Sequence, residues 1–254
     1  MVRDKSEEIN TIHIWGIKLN PISLDEFIKI TRLRIEQKLF PIHFTGVNPE
    51  TVVHAFNNDF LKKAILDSDF VNIDNNFVVL TLRFLGYHVP GRVATPDLFE
   101  ALLKLANKEN YRIFIIGAKQ EILEKAIENI RSSYPNIIIN GMHGYFPQES
   151  EVRIIENIKE FTPDMLFIAL PSPYKESFIL KYKNDINAKV YLGVGGAIDV
   201  KGEQIKRAPL FLRKIGLEGI FRSFQSPLNY GKRYLTYYPT FLKIVINSKN
   251  GIRK

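Results

Sequence analysis

The 254-residue chain contains no cysteine, which excludes a disulfide framework and any thiolate metal site, and fits a reducing compartment. It has no run of about 18 apolar residues, so no segment is expected to span a bilayer. Residues 1–8 are charged and lead into no apolar stretch, and no signal peptide is expected. Gly-x-Ser-x-Gly is absent, which removes an α/β-hydrolase at its first requirement. The five histidines (His13, His43, His54, His88 and His143) show no metal-ligand spacing; a site built from carboxylates stays open, but nothing in the sequence argues for a metal or a cofactor.

What the chain does have is a hydrophobic content of 45%, enough for one large domain or a domain with a small appendage. Its net charge of +8 is unevenly spread. Residues 201–254 carry 12 Lys/Arg against Glu203 and Glu218, a net of +10, which leaves −2 for the first 200 residues. Such a basic block attracts phosphate, whether on a nucleotide, a lipid pyrophosphate, a nucleic acid or an anionic leaflet.

Short β-rich runs alternate with helical stretches. An extended segment at Ile12–Ile17 leads to Ser23-Leu24-Asp25-Glu26, a capping box. The helix it opens should place Leu24, Phe27, Ile28 and Leu33 near one face. Strands are expected at Pro41–Thr45, Phe70–Ile73, Arg112–Ile116, Met165–Leu170 and Val190–Val194, with a weaker one at Ile137–Ile139. Helical spacing covers the stretch from Pro49, the run from Phe77, and about 119–133, 148–161 and 173–184. Thr95-Pro96-Asp97 reads as an N-cap, a proline at N1 and an acid in the first turn of a helix reaching about Asn107. Near-continuous apolar strands alternating with amphipathic helices predict a parallel sheet covered on both faces. After Gly193-Val194-Gly195-Gly196 the strand pattern stops. Short basic helices at 208–216 and 217–225 are expected, then a tail interleaving Tyr230, Tyr234, Tyr237, Tyr238 and Phe241 with Lys232, Arg233 and Lys243. The division expected is an α/β domain over 1–198 and a basic appendage over 199–254.

Ligands of open parallel sheets bind beyond the carboxyl ends of the strands. That rule selects Thr45–Asn48, Asp74-Asn75-Asn76, Gly117-Ala118-Lys119, Pro171-Ser172-Pro173 and Gly193–Asp199. Asp74 follows an apolar strand and suits a general base, while a bland alternative makes it the N-cap of the helical run from Phe77. Arg92 lies within reach of an anion at the helix opened by Thr95, and a solvated surface arginine reads equally well. The Gly193–Gly196 glycines permit close approach to a phosphate. They are not the dinucleotide fingerprint, which disfavours a Rossmann oxidoreductase.

Gly193-Val194-Gly195-Gly196-Ala197-Ile198-Asp199-Val200, Ile205-Lys206-Arg207-Ala208-Pro209, Arg213-Lys214-Ile215-Gly216-Leu217-Glu218 and Phe221-Arg222 resemble the C-terminal signature of the WecG/TagA/CpsF glycosyltransferases. The likeness continues upstream through Pro173–Glu176, Gly144–Phe146, Arg92-Val93, Asp97-Leu98 and Asp74 to Asn48-Pro49-Glu50, covering about residues 10–230. It implies a Rossmann-like α/β body of the GT-E type with a basic C-terminal helical appendage. It also implies inverting, metal-independent transfer from a UDP-sugar to a polyprenyl-pyrophosphate-linked sugar at the cytoplasmic face of the membrane. The donor would carry N-acetylmannosamine, its uronic acid or a related hexose. Asp74 matches the family's proposed base and Arg92 its arginine. Thr45, Asn48, Asn75, Lys175, Gly193, Gly195, Gly196, Asp199, Arg207, Arg213 and Arg222 form the implied substrate-binding set. The tail would meet an anionic membrane surface, and the resemblance implies dimers or trimers.

The chain departs from the family pattern at four places. Gly46 stands where a threonine is expected in Thr-x-Asn, and Pro-Asp-Gly has become Ile73-Asp74-Asn75. A glycine before Asp97 is displaced by Thr95-Pro96, and the glutamine of Pro-x-Gln-Glu is Lys175. Lysine adds a cation and removes an acceptor oxygen, which suits an altered donor or acceptor, a carboxylated sugar among them. A member that binds nucleotide or lipid without turnover is the alternative. Nucleic-acid binding through the tail lacks any RRM, KH or helix-turn-helix pattern to support it.

Overall fold

The computed structural model describes residues 10–214, 218–225 and 231–252. A small antiparallel hairpin opens the chain, β1 (Ile12–Ile14) against β2 (Ile17–Leu19). Sequence alone reads Ile12–Ile17 as one extended segment. Trp15 and Gly16 both take positive φ, and the turn they make splits it. The capping box forms as expected at the start of α1 (Leu24–Glu36), with Ser23 and Glu26 each serving the other's backbone N–H. Phe27 is fully buried, but Leu33 is exposed rather than on the packed face. Thr31 takes the inner position instead, its hydroxyl donating to the Phe27 carbonyl at 2.6 Å.

A six-stranded parallel sheet follows, built from β3 (Ile42–Val47), β4 (Phe70–Ile73), β5 (Arg112–Gly117), β6 (Ile138–Met142), β7 (Met165–Ala169) and β8 (Val190–Gly193) in the order β4-β3-β8-β7-β5-β6. Period-two alternation sends successive side chains to opposite faces. Ile113 and Ile115 of β5, with Met165 and Phe167 of β7, pack on one face against α1, α5 (Thr95–Glu109) and α6 (Gln120–Ser133). Phe114, Ile116, Leu166 and Ile168 pack on the other against α7 (Glu151–Phe161) and α8 (Tyr174–Ile186). Both faces are therefore covered, as the apolar strands required. On that second face, Val71 and Ile73 of β4 join a further core. It includes the hairpin, α2 (Pro49–Asn57), α3 (Asp59–Leu66) and α4 (Asn76–Phe84).

Beyond β8 come α9 (Ala197–Lys201), α10 (Leu210–Lys214), α11 (Glu218–Gln225) and α12 (Lys232–Ile252). The last of these crosses back onto α2. Phe241, Ile244 and Val245 enter the same core as the hairpin, with Phe241 edge-on to Trp15 at 5.1 Å. Tyr237 and Tyr238 also face the body, against His54 and Phe77. The opposite face of α12 carries Leu235, Pro239, Leu242 and Ile246, all exposed and spaced at i, i+4, i+7 and i+11. Among the described residues, no helix is long and apolar enough to cross a membrane.

Candidate active site

A cleft of about 1190 Å³ opens at the carboxyl ends of the parallel strands, where this architecture places ligands. Each wall is the stretch that follows a strand. Gly46 and Asn48 come from β3, Asp74 from β4, Lys119 from β5, Leu170–Ser172 from β7 and Gly193–Ala197 from β8. Lys175 and Asp199 enter from the first turns of α8 and α9, and Thr236 and Tyr237 of α12 close one side.

Asp74 is not the N-cap of the following helix. Asn75 caps α4, its Oδ1 accepting from the Phe77 N–H at 2.8 Å. The Asp74 carboxylate instead accepts the Thr95 N–H at the start of α5. Ala94 is the N-cap of that helix and offers no side-chain acceptor, so Thr95 and Pro96 shift one position inward from the sequence expectation. A carboxylate from another strand end thus satisfies a donor that α5 cannot satisfy itself. The contact fixes the Asp74 carboxyl plane in the cleft floor.

Of the remaining expected residues, Asn48 lines the cleft and also caps α2, with Thr51 N 3.0 Å from its Oδ1. Lys175 lies over Gly193, where a Cβ would meet its Cδ and Cε at 3.1 Å, and its Nζ is 3.3 Å from Glu176 Oε1. Gly195 holds φ +46°, a backbone state that favours glycine, and lines the cleft beside Gly193 and Gly196. Thr45 is off the cleft. Its buried hydroxyl bonds Ser68 Oγ at 2.7 Å and His43 Nε2 at 3.3 Å. Asn75 is outside the cleft lining too, donating to the Tyr238 hydroxyl at 3.2 Å.

Three arginines gather in a separate network beside the first turn of α5. Arg92 meets Glu218 at 2.8 Å; Arg207 meets Asp97 at 2.6 Å and Glu218 at 3.1 Å; Arg213 lies 3.6 Å from Asp97. Burial opposes the Arg207 charge, and its bonds to Asp97 and Glu218 outweigh that cost, raising its pKa above the ordinary value. None of these three arginines lines the cleft. Arg222 sits on α11, and its side chain lies outside the described residues. Lys119, Thr95 and Tyr237 line the cleft without having been singled out as ligands from sequence. Lys119 carried the strand-end signal, whereas Tyr237 is brought in only by the docking of α12.

The sequence matches the family model described as "Glycosyl transferase WecG/TagA/CpsF family" over residues 12–254. A protein of Bacillus subtilis (strain 168) is 33% identical over 244 residues, covering 96% of this chain and 93% of its own length. One of Staphylococcus aureus (strain MW2) is 30% identical over 251 residues, 98% of each chain. Both are named N-acetylglucosaminyldiphosphoundecaprenol N-acetyl-beta-D-mannosaminyltransferase. Matched over almost its whole length, the chain belongs to the WecG/TagA/CpsF family and is a glycosyltransferase.

Proposed function

We propose that this glycosyltransferase moves N-acetylmannosamine, its uronic acid or a related hexose from a UDP-sugar to a polyprenyl-pyrophosphate-linked sugar, with inversion and without a metal. The acceptor class follows the names of its relatives. One observation carries the chemistry: Asp74 stands in the cleft floor with its orientation set by the Thr95 amide. In that position it takes the proton of the acceptor hydroxyl as the oxygen attacks the anomeric carbon. The bond from that carbon to UDP breaks on the opposite face, and the pair of electrons leaves with the diphosphate.

The departing charge needs cationic partners. Lys119 and Lys175 line the cleft, and Arg92, Arg207 and Arg213 stand beside it as a reserve of guanidinium groups. The lipid-linked acceptor calls for a membrane-facing surface. The exposed stripe Leu235, Pro239, Leu242 and Ile246, on a segment of net positive charge, suits an anionic leaflet at the cytoplasmic face.

The test is transfer in EDTA from a panel of UDP-sugars to a short prenyl-pyrophosphate-N-acetylglucosamine, with the acceptor weighed by mass spectrometry. A single added sugar, lost in Asp74→Asn while UDP still binds, is the expected result. An Asp74→Asn protein that turns over normally overturns the base assignment. An acceptor left unchanged by every donor overturns the proposed transfer.

A further inference from the structure

Gly46 and Thr95 meet in the cleft floor beside Asp74. A Cβ built on Gly46 would lie 2.5 Å from Thr95 Oγ1 and 3.6 Å from Asp74 Cβ. The first distance is one that real Cβ atoms do not keep, so the hydroxyl occupies the place where a strand side chain would begin. Gly46 does not have a positive φ, so its conformation is open to other residues. What the site requires there is the missing side chain. The Thr95 amide is given to Asp74, whereas its hydroxyl has no hydrogen-bond partner among the described residues. A half-buried hydroxyl with no partner among the described residues, in a cleft and next to a carboxylate, is completed by ligand or water.

We infer that Thr95 is a substrate-positioning residue, its hydroxyl bonding the sugar hydroxyl that Asp74 deprotonates, and that Gly46 is small so that α5 can deliver that hydroxyl. The inference rests on Asp74 acting as the base. Gly46 and Thr95-Pro96, two of the four places where the chain departs from the pattern that the resemblance implies, converge on this one contact. Read singly, each looks like an altered site. Together they exchange bulk across a single gap, and one hydroxyl remains beside Asp74, supplied by the helix rather than the strand.

Five variants of the full chain test this, with kcat/KM for the acceptor measured alongside UDP affinity and melting temperature. Thr95→Val keeps the shape and the amide and removes only the hydroxyl. It should lower kcat/KM about tenfold, the scale of one lost hydrogen bond, at unchanged UDP affinity and melting temperature. Thr95→Ser should restore most of that loss. Gly46→Ala displaces the hydroxyl and should match Thr95→Val in rate. Gly46→Thr combined with Thr95→Gly should recover most of what Gly46→Thr alone loses. A Thr95→Val enzyme as fast as the parent refutes the inference alone, and so does a serine variant as slow as the valine. An Asp74→Asn enzyme that turns over normally refutes the reading of Asp74 as the base, and this inference falls with it.

Discussion

Arg207 Nη1 lies 2.6 Å from Asp97 Oδ1, joining the basic C-terminal segment to the first turn of α5 across 110 positions of sequence. The same guanidinium reaches Glu218, which also holds Arg92 at 2.8 Å. Asp97 and Glu218 thus organise three cations that would otherwise repel one another.

Glu218 is 4% exposed, and its neutralisation leaves the largely buried Arg92 without its carboxylate partner and Arg207 with Asp97 alone. Glu218→Gln should cost about 3 kcal/mol of stability, the scale of a broken buried pair, read as a lower urea midpoint at unchanged slope. A loss below about 0.5 kcal/mol would put the network in the class of screened surface pairs.

The Asp74 carboxylate both caps α5 and stands in the cleft, and two substitutions separate these roles. Asp74→Asn keeps an oxygen for the Thr95 N–H; Asp74→Ala does not. Both should lose turnover, but only alanine should lose the roughly 1 kcal/mol that a helix cap contributes. Equal melting temperatures for the two variants would contradict the capping role.

That cap shows where the sequence stopped being legible. The strands could be read because runs such as Met165–Leu170 are apolar without interruption, and parallel pairing between covered faces demands that. The Ser23 box could be read because both partners lie within one turn. Asp74 and Thr95 are 21 residues apart, and local spacing cannot see a cap supplied from another strand end. Leu33 was misplaced for a related reason. A buried threonine that bonds its own helix backbone behaves as an inner residue, against the apolar pattern. Strand-end position pointed to Asn48, Asp74, Lys119 and the Gly193–Gly196 glycines, and the family resemblance to Lys175, all of which line the cleft. The Arg92–Glu218 pairing and the Tyr237 wall required the docked C-terminal segment. Gly46 lay within the Thr45–Asn48 strand end and was otherwise visible only as a missing threonine, because its partner across the gap is a tertiary fact.

Lys175 reaches the cleft with its stem over Gly193. A cation there favours a donor bearing a carboxylate. Lys175→Gln should lower kcat/KM for a UDP-hexosaminuronate about tenfold relative to the uncharged N-acetylhexosamine, the scale of one charge-assisted hydrogen bond. Competition between the two donors measures the ratio directly, and an unchanged ranking would remove Lys175 from donor choice.

His43, on β3, is fully buried, and its pKa falls from 6.5 to about 3, first through burial and then through Lys183, Lys175 and Lys18. The folded protein therefore keeps it neutral where the unfolded chain binds a proton. Stability is full above pH 6.5 and declines as pH falls towards 3, because the unfolded state gains protons over that interval. Between pH 7 and pH 5 the expected loss is about 2 kcal/mol. Urea unfolding at the two pH values should show it, and His43→Gln should remove most of the difference. A variant with the same pH slope as the parent would assign that slope to other groups.

Leu235 and Ile246 are 83% and 58% exposed, on the side of α12 opposite Phe241, which is fully buried. The two faces separate docking from membrane contact. Leu235→Ser with Leu242→Ser and Ile246→Ser alters only the outer stripe, so the melting temperature and UDP affinity should hold. Co-sedimentation with vesicles containing anionic lipid should fall by about tenfold or more, given roughly 25 cal/mol for each Å² of apolar area withdrawn from water. Phe241→Ala acts on the inner face and should instead cost about 3–5 kcal/mol of stability, the usual range for a buried phenylalanine. Unchanged vesicle binding in the triple serine variant would reduce the stripe to ordinary exposed apolar surface, and leave membrane attachment to the basic residues alone.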